Sequence, residues 1–152
     1  MREVILTQGK VALVDDEDFE LVSQWKWCAM RGKHTWYAVR GCADGKSVLM
    51  HREIFGADAG VNCQIDHKDG NGLNNKRENL RVATQSQNNA NARNRLNTSS
   101  PYKGVCWDNA RNAWLARISE KFLGRFSSEE AAAKAYDKAA IERFGEYART
   151  NF

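Results

Sequence analysis

The sequence predicts an α+β chain of small antiparallel sheets and short helices, organised as two compact modules. Three observations lead there. Short aromatic or β-branched runs alternate with glycine-bearing turns, the signature of hairpins rather than long helices. One segment near the C-terminus, "SSEEAAAKAYDKAAIERFG", has a serine N-cap, first-turn glutamates, many alanines and a terminal glycine, which together specify a helix. Between these regions "NTSSP" is small and polar and holds the only proline, so a linker is expected at 98–101.

Taken in order, "VILTQGKVALV" offers two strands around a turn at Gly9 and Lys10. "DDEDFELVSQ" starts a short helix, because carboxylates favour the positive helix N-terminus. "WKWCAM", "TWYAVRG" and "KSVLM" then read as a three-stranded meander, with Trp25, Trp27, Trp36 and Tyr37 assigned to core packing. "HREIFG" is a short helix ending at Gly56. "CQID" is a strand, "KDGNGLNNKREN" a turn-rich loop, "LRVAT" the returning strand, and "QSQNNANARNRLN" a helix that Thr84 could cap. Last come "YKGVCW", "AWLARI" and "FLGRF" as strands, then the alanine-rich helix, whose Ala132, Ala135, Tyr136, Ala139, Ala140 and Phe144 recur at helical spacing. The expected organisation is a small β-rich region at 1–47, a second element at 48–97, the linker, and a sheet-and-helix module at 102–152.

The totals exclude several classes. No apolar run nears the roughly 18 residues of a membrane span, and "MREVILTQGK" lacks a signal peptide's apolar core, so a cytoplasmic protein with no membrane association is expected. The four cysteines form no CxxC pair, which argues for reduced thiols and against a zinc knuckle. The net charge of +4 is uneven: residues 76–125 hold ten Lys/Arg against three Asp/Glu, while both flanks are slightly acidic. A basic segment between near-neutral flanks is the electrostatic footprint of a nucleic-acid binder.

The chemistry concentrates in "IDHKDGNGLNNKRENLRVATQSQNN". A neutral imidazole can take a proton from water near pH 7, so His67 is a candidate base, and a hard cation held by oxygen ligands would supply the charge stabilisation that phosphodiester hydrolysis needs. Asn79 follows His67 by twelve residues and Asn88 follows Asn79 by nine. This stretch resembles the HNH endonuclease motif, in the asparagine-ending variant of phage and intron homing endonucleases, and "MHREIFG" resembles the segment preceding it. The resemblance implies a ββα-metal fold in which His67 is the general base, Asp66 and Asn88 are metal ligands and Asn79 braces the loop that orients His67. One carboxylate and one amide leave positions open for water and phosphate, which suits Mg2+, with Mn2+ the alternative. His34 and His51 are read as structural, His51 through a hydrogen bond.

"YKGVCWDNARNAWLARI", "FLGRF" and "EEAAAKAYDKAAIERFGEYARTNF" resemble the DNA-binding domain of plant ethylene-response factors. That family lays a three-stranded sheet in the major groove with a helix behind it. Period-two alternation with Trp114, Ala116 and Ile118 facing the helix turns Leu115 and Arg117 outward, and brings Arg125 outward if the strand bends near Gly124. Lys103, Arg111, Arg117 and Arg125 are then candidate DNA contacts, with Trp107 against sugar or base, while Arg81, Arg93 and Arg95 would hold the scissile backbone. Phe122 and Cys106 stand where plant members carry Trp and Arg, so plant site preference does not carry over. The expectation is a site-selective homing-type endonuclease that nicks double-stranded DNA as a monomer or weak dimer, with no protein partner. The alternative is a transcriptional regulator with an inactive nuclease motif.

Overall fold

A computed structural model describes residues 1–56, 63–94 and 98–152. The chain divides into two compact units, Met1–Gln85 and Ser86–Phe152.

In the first unit, β1 (Arg2–Ile5) and β2 (Val11–Val14) form an antiparallel hairpin across a 3-10 turn at Thr7–Gly9. Helix α1 (Asp16–Ser23) follows, with Asp16, Glu17 and Asp18 in its first turn. Strands β3 (Cys28–Arg31), β4 (Trp36–Gly41) and β5 (Ser47–Leu49) pair in sequence order, giving the predicted meander. Helix α2 (Met50–Phe55) stops at Gly56, as expected from the glycine. Strands β6 (Gln64–His67) and β7 (Leu80–Ala83) pair antiparallel, so that Asp66 lies opposite Arg81 and His67 opposite Leu80.

Val4, Leu6, Ala12, Val14, Val22, Trp27, Ala29, Ala38, Met50, Ile54, Ile65 and Leu80 make one core drawn from β1 to β4, α1, α2, β6 and β7. Trp27 is buried, and its indole N–H donates to Val22 O (2.8 Å). Trp25 precedes the sheet and is 44% exposed, covered on one face by the Arg40 guanidinium at 4.3 Å from the ring centroid, inside the roughly 6 Å reach of a cation–π contact. The aromatic cluster is therefore mainly core, with one member at the surface.

The second unit takes helix α3 (Gln85–Asn91) from Ser86 onward, then β8 (Val105–Asp108), β9 (Ala113–Ile118), β10 (Lys121–Phe126) and α4 (Glu129–Phe144). Ser128 caps α4 by accepting from Ala131 N–H (3.3 Å), and Gly145 ends it. The sheet order is β10-β9-β8, and its inner face packs Val105, Ala116 and Ile118 against Ala132, Ala133, Tyr136 and Ala140. Gly104 has φ +75°, and a Cβ there would fall into the Tyr136 ring, so only glycine fits this strand entry.

Helix α3 is shorter than "QSQNNANARNRLN" predicts: it ends at Asn91, and residues 95–97 lie outside the described residues. The compact division falls at Gln85 rather than at the linker expected from composition. The reason is tertiary: carbonyls in the last turn of α3 are bonded to Lys103 and Arg149. All four cysteines are free thiols, and among the described residues no helix is long and apolar enough to cross a membrane.

Candidate active site

His67 ends β6 and is 5% exposed. Its Nε2 lies 3.2 Å from Oδ1 of Asn75, which is fully buried. The Asn75 amide nitrogen is committed elsewhere, donating to Leu73 O (3.3 Å) and Met50 Sδ (3.5 Å). Its oxygen therefore faces the ring, and Nε2 carries the hydrogen that it accepts. The His51 ring meets His67 edge-on with centroids 4.9 Å apart, and Tyr37 lies 6.0 Å from both.

Burial pulls His51 down to about 3, helped by the Arg52 charge and by the repulsion it would meet from a second proton on His67. Burial also lowers His67, although the Asn75 hydrogen bond and the Asp69 and Asp66 carboxylates work against it. Both rings are thus held neutral at physiological pH. Tyr37 is pushed up by burial and by Asp66, so its hydroxyl keeps its proton.

Asp66 is also buried, and its Oδ2 accepts from Arg81 Nε (3.0 Å) and Nη2 (2.9 Å) across the hairpin. Arg81, expected on the scissile backbone, thus has its guanidinium on Asp66 and its side chain only 10% exposed. Cross-strand register explains the pair, since the two residues sit directly opposite.

Asn79 holds the loop through both ends of its amide. Its Nδ2 donates to Asn74 O (2.8 Å) and Asp69 Oδ1 (3.0 Å), while its Oδ1 accepts from Asp69 N–H (3.1 Å). Asp69 also accepts from Asn71 N–H (2.7 Å) and Asn74 Nδ2 (2.8 Å). Burial works to raise the Asp69 carboxyl, but these donors outweigh it and keep the group below the usual carboxylate range.

The loop is fastened to the N-terminal residues as well. Leu13 N–H donates to Leu73 O and Asn75 N–H to Leu13 O, both at 2.8 Å. Arg77 N–H donates to Asp15 Oδ2 (2.8 Å), and the Arg77 guanidinium grips buried Asp18 through Nε (2.9 Å) and Nη2 (2.7 Å). Gly72 N–H donates to Thr35 Oγ1 (3.0 Å), and a Cβ at Gly72 would come within 2.6 Å of the Tyr37 ring. Asn75, Asp69, Tyr37 and His51 were not singled out as site residues by sequence reasoning. The second asparagine of "LNNK" and the Asx turn of "KDGN" were the available signals for the first two; the rings come from β4 and α2, distant in sequence, and left none.

Asn88, on α3, is half-buried, and its carbonyl accepts from Ala92 N–H (3.1 Å). Among the described residues no three His, Cys, Asp or Glu side chains cluster to hold a metal ion. The candidate donors are all oxygens, the Asp66 carboxylate and the Asn88 amide. Carboxylate and amide oxygens are the donor types a hard divalent cation takes, and neither is the thiolate or imidazole that a softer metal prefers.

In the second unit the outward sheet face carries Arg117 and Arg125, both exposed, with a bulge between Phe122 and Gly124 supplying the expected bend. Arg125 Nε pairs with Asp108 (2.9 Å), and Arg111 lies 3.5 Å from the same carboxylate. Trp107 is 36% exposed, its ring edge-on to Trp114 at 5.0 Å. Arg93 is exposed and shares an open cleft of about 380 Å³ with Tyr102, Lys103 and Arg149. The Lys103 ammonium is turned to backbone carbonyls of α3. Arg95 lies outside the described residues.

The HNH endonuclease family profile matches residues 48–90, the span of α2, the β6–β7 hairpin and most of α3. An uncharacterised HNH endonuclease of Acanthamoeba polyphaga mimivirus is 32% identical over 151 residues, covering 95% of this chain and 76% of that protein. The chain belongs to the HNH endonuclease family and is a DNA nuclease of that family, whose members use a divalent metal. An AP2-like ethylene-responsive transcription factor of Arabidopsis thaliana is 45% identical over 60 residues, 36% of this chain and 11% of that protein. An AP2/ERF and B3 domain-containing protein of rice, Oryza sativa subsp. japonica, is 48% identical over 58 residues, 16% of its length. About a third of the chain is thus AP2-like. No solved structure matches.

Proposed function

We propose that this chain is a metal-dependent, site-selective DNA endonuclease of the homing type that hydrolyses one strand of a duplex. In this reading the β6–β7 hairpin and α3 form the ββα-metal element, and the C-terminal sheet selects the site. The observation that carries the reading is the fixed, neutral His67 ring. With Nε2–H donating to Asn75, Nδ1 is the nitrogen that accepts a proton from water, and burial keeps it unprotonated near pH 7. The water oxygen then attacks phosphorus, the P–O bond to the 3′ oxygen breaks, and that oxygen takes a proton from solvent water, leaving a 5′ phosphate and a 3′ hydroxyl. Asn79 and Asp69 stiffen the loop so that the ring keeps its direction through the reaction. Asp66 and Asn88 would hold the cation, Mg2+ by the hardness of its ligands, which when bound supplies charge stabilisation to the phosphate oxygens. Arg117 on the exposed sheet face would meet the duplex, and Arg93 the backbone.

The test uses supercoiled plasmid carrying a library of candidate sites, with Mg2+ or chelator, and compares wild type with His67→Ala. Metal-dependent nicking lost in His67→Ala is the expected result, with a fall of at least about 100-fold. Cleavage unchanged by the substitution would remove His67 as the base. Site-specific binding with no cleavage by wild type would make the chain a DNA-binding regulator.

A further inference from the structure

We infer that Lys103 is a positioning residue of the nuclease: it caps the C-terminal end of α3 and holds the helix that carries Asn88. This rests on the reading of Asn88 given above. Helix α3 has only seven residues, is rich in asparagine, and has no basic residue in its last turn to satisfy its terminal carbonyls. So short a helix is marginal by itself, and its last carbonyls need outside donors. Lys103 Nζ donates to Ala92 O (2.6 Å), Asn89 O (3.3 Å) and Ala90 O, and Arg149 N–H also donates to Ala90 O (3.3 Å). An ammonium has three N–H groups, and here each has a carbonyl. A positive charge at a helix C-terminus is also favoured by the helix dipole.

The lysine is itself held. Its backbone N–H donates to Asn151 Oδ1 (2.7 Å), and Asn151 Nδ2 donates back to Lys103 O (3.3 Å). Asn151 is anchored on the buried Asp137 of α4 by its backbone N–H (2.8 Å) and its Nδ2 (2.9 Å). A continuous chain of hydrogen bonds thus runs from α4 through Asn151 and Lys103 to the end of α3. Asn88 lies within one turn of the capped carbonyls, so the direction of its amide follows the helix end. Burial and the Arg149 charge bring the Lys103 ammonium down to about 8, as befits a group withdrawn from solvent. Sequence alone suggests a phosphate contact for Lys103, but its donors are spent inside the protein.

The test compares wild type, Lys103→Met and Lys103→Arg in the full chain. It reads hydrogen exchange of peptides covering α3, duplex affinity in chelator at several salt concentrations, and the Mg2+ dependence of cleavage at saturating DNA. Arginine keeps the charge, but its planar fork cannot aim three N–H groups from one nitrogen at three carbonyls. Both variants are expected to exchange α3 amides about tenfold faster and to need about tenfold more Mg2+, with affinity within about twofold of wild type and the salt slope unchanged. Arginine behaving as wild type, or methionine lowering affinity with a shallower salt slope and unaltered α3 exchange, would overturn the cap and make Lys103 a phosphate contact. Should Lys103→Met not fold, Lys103→Arg decides between the two roles. Asn88→Ala, run in parallel, separates the readings: wild-type cleavage by that variant removes Asn88 from the centre and Lys103 from cleavage, while exchange still judges the cap.

Discussion

His51 makes the first unit sensitive to acid by an amount that follows from its burial. The unfolded chain protonates this residue near 6.5, whereas the folded ring resists protonation until about 3. The sign follows from proton counting. Above 6.5 both states are neutral and the folded state has its full stability; as pH falls from 6.5 toward 3 only the unfolded state gains a proton, and stability is lost throughout that window. Each pH unit inside the window costs about 1.4 kcal/mol, so going from pH 8 to pH 5 removes about 2 kcal/mol. The groups around the ring are His67 on β6, Tyr37 on β4 and Arg52 on its own helix, and none is an acid that would hold a proton on it. Urea denaturation followed by Trp27, buried in this unit, at pH 8, 6.5 and 5 measures the loss, and His51→Gln isolates the His51 share from that of His67. The wild type is expected to lose about 2 kcal/mol more than His51→Gln between pH 8 and pH 5. Equal losses, or an NMR signal of His51 titrating near 6.5, would refute the reasoning.

Three further outcomes follow from the contacts. Arg77→Ala leaves the buried Asp18 carboxylate without its bidentate partner and is expected to cost about 2 to 3 kcal/mol, read in the same urea titration. Gly104→Ala forces a side chain into the Tyr136 ring at φ +75°, so the second unit is expected to lose at least about 3 kcal/mol, seen as a lowered Tm with loss of duplex binding. Arg117→Ala is expected to weaken duplex binding and reduce the salt slope by about one, while Arg125→Ala does less because Asp108 already engages that guanidinium; fluorescence anisotropy against salt checks both.

Order and type of the elements were legible because turns punctuate this chain. Gly9, Gly56 and Gly145 fall where the 3-10 turn and the helices α2 and α4 end, and the alternation in "AWLARI" gives the two faces of β9. The end of α3 was not legible. Asparagine is a weak helix former, and the carbonyls at the end of this helix are bonded to Lys103, whose proximity no local pattern encodes. Within the site, the family resemblance assigned Asn79 to bracing the loop, and its amide bonds to Asn74 and Asp69 of that loop. The cage of Tyr37, His51 and Asn75 around His67, and the grip of Asp18 on Arg77, depend on tertiary contacts across 8 to 59 positions of sequence, which periodicity cannot reach. His51, read as forming a structural hydrogen bond, contributes ring edges instead.

The bonds from Leu13 and Asp15 to the loop bear on how this nuclease can be moved between proteins. The segment that carries the family resemblance starts at residue 48, yet the backbone of its loop closes on residues contributed by β2 and by the cap of α1. A graft cut at the boundaries of the family match would leave the Leu73 carbonyl and the Asn75 and Arg77 amides to find new partners in the host. The unit that keeps these partners is the first 85 residues, so engineering by exchange of modules has to begin at the N-terminus rather than at the motif.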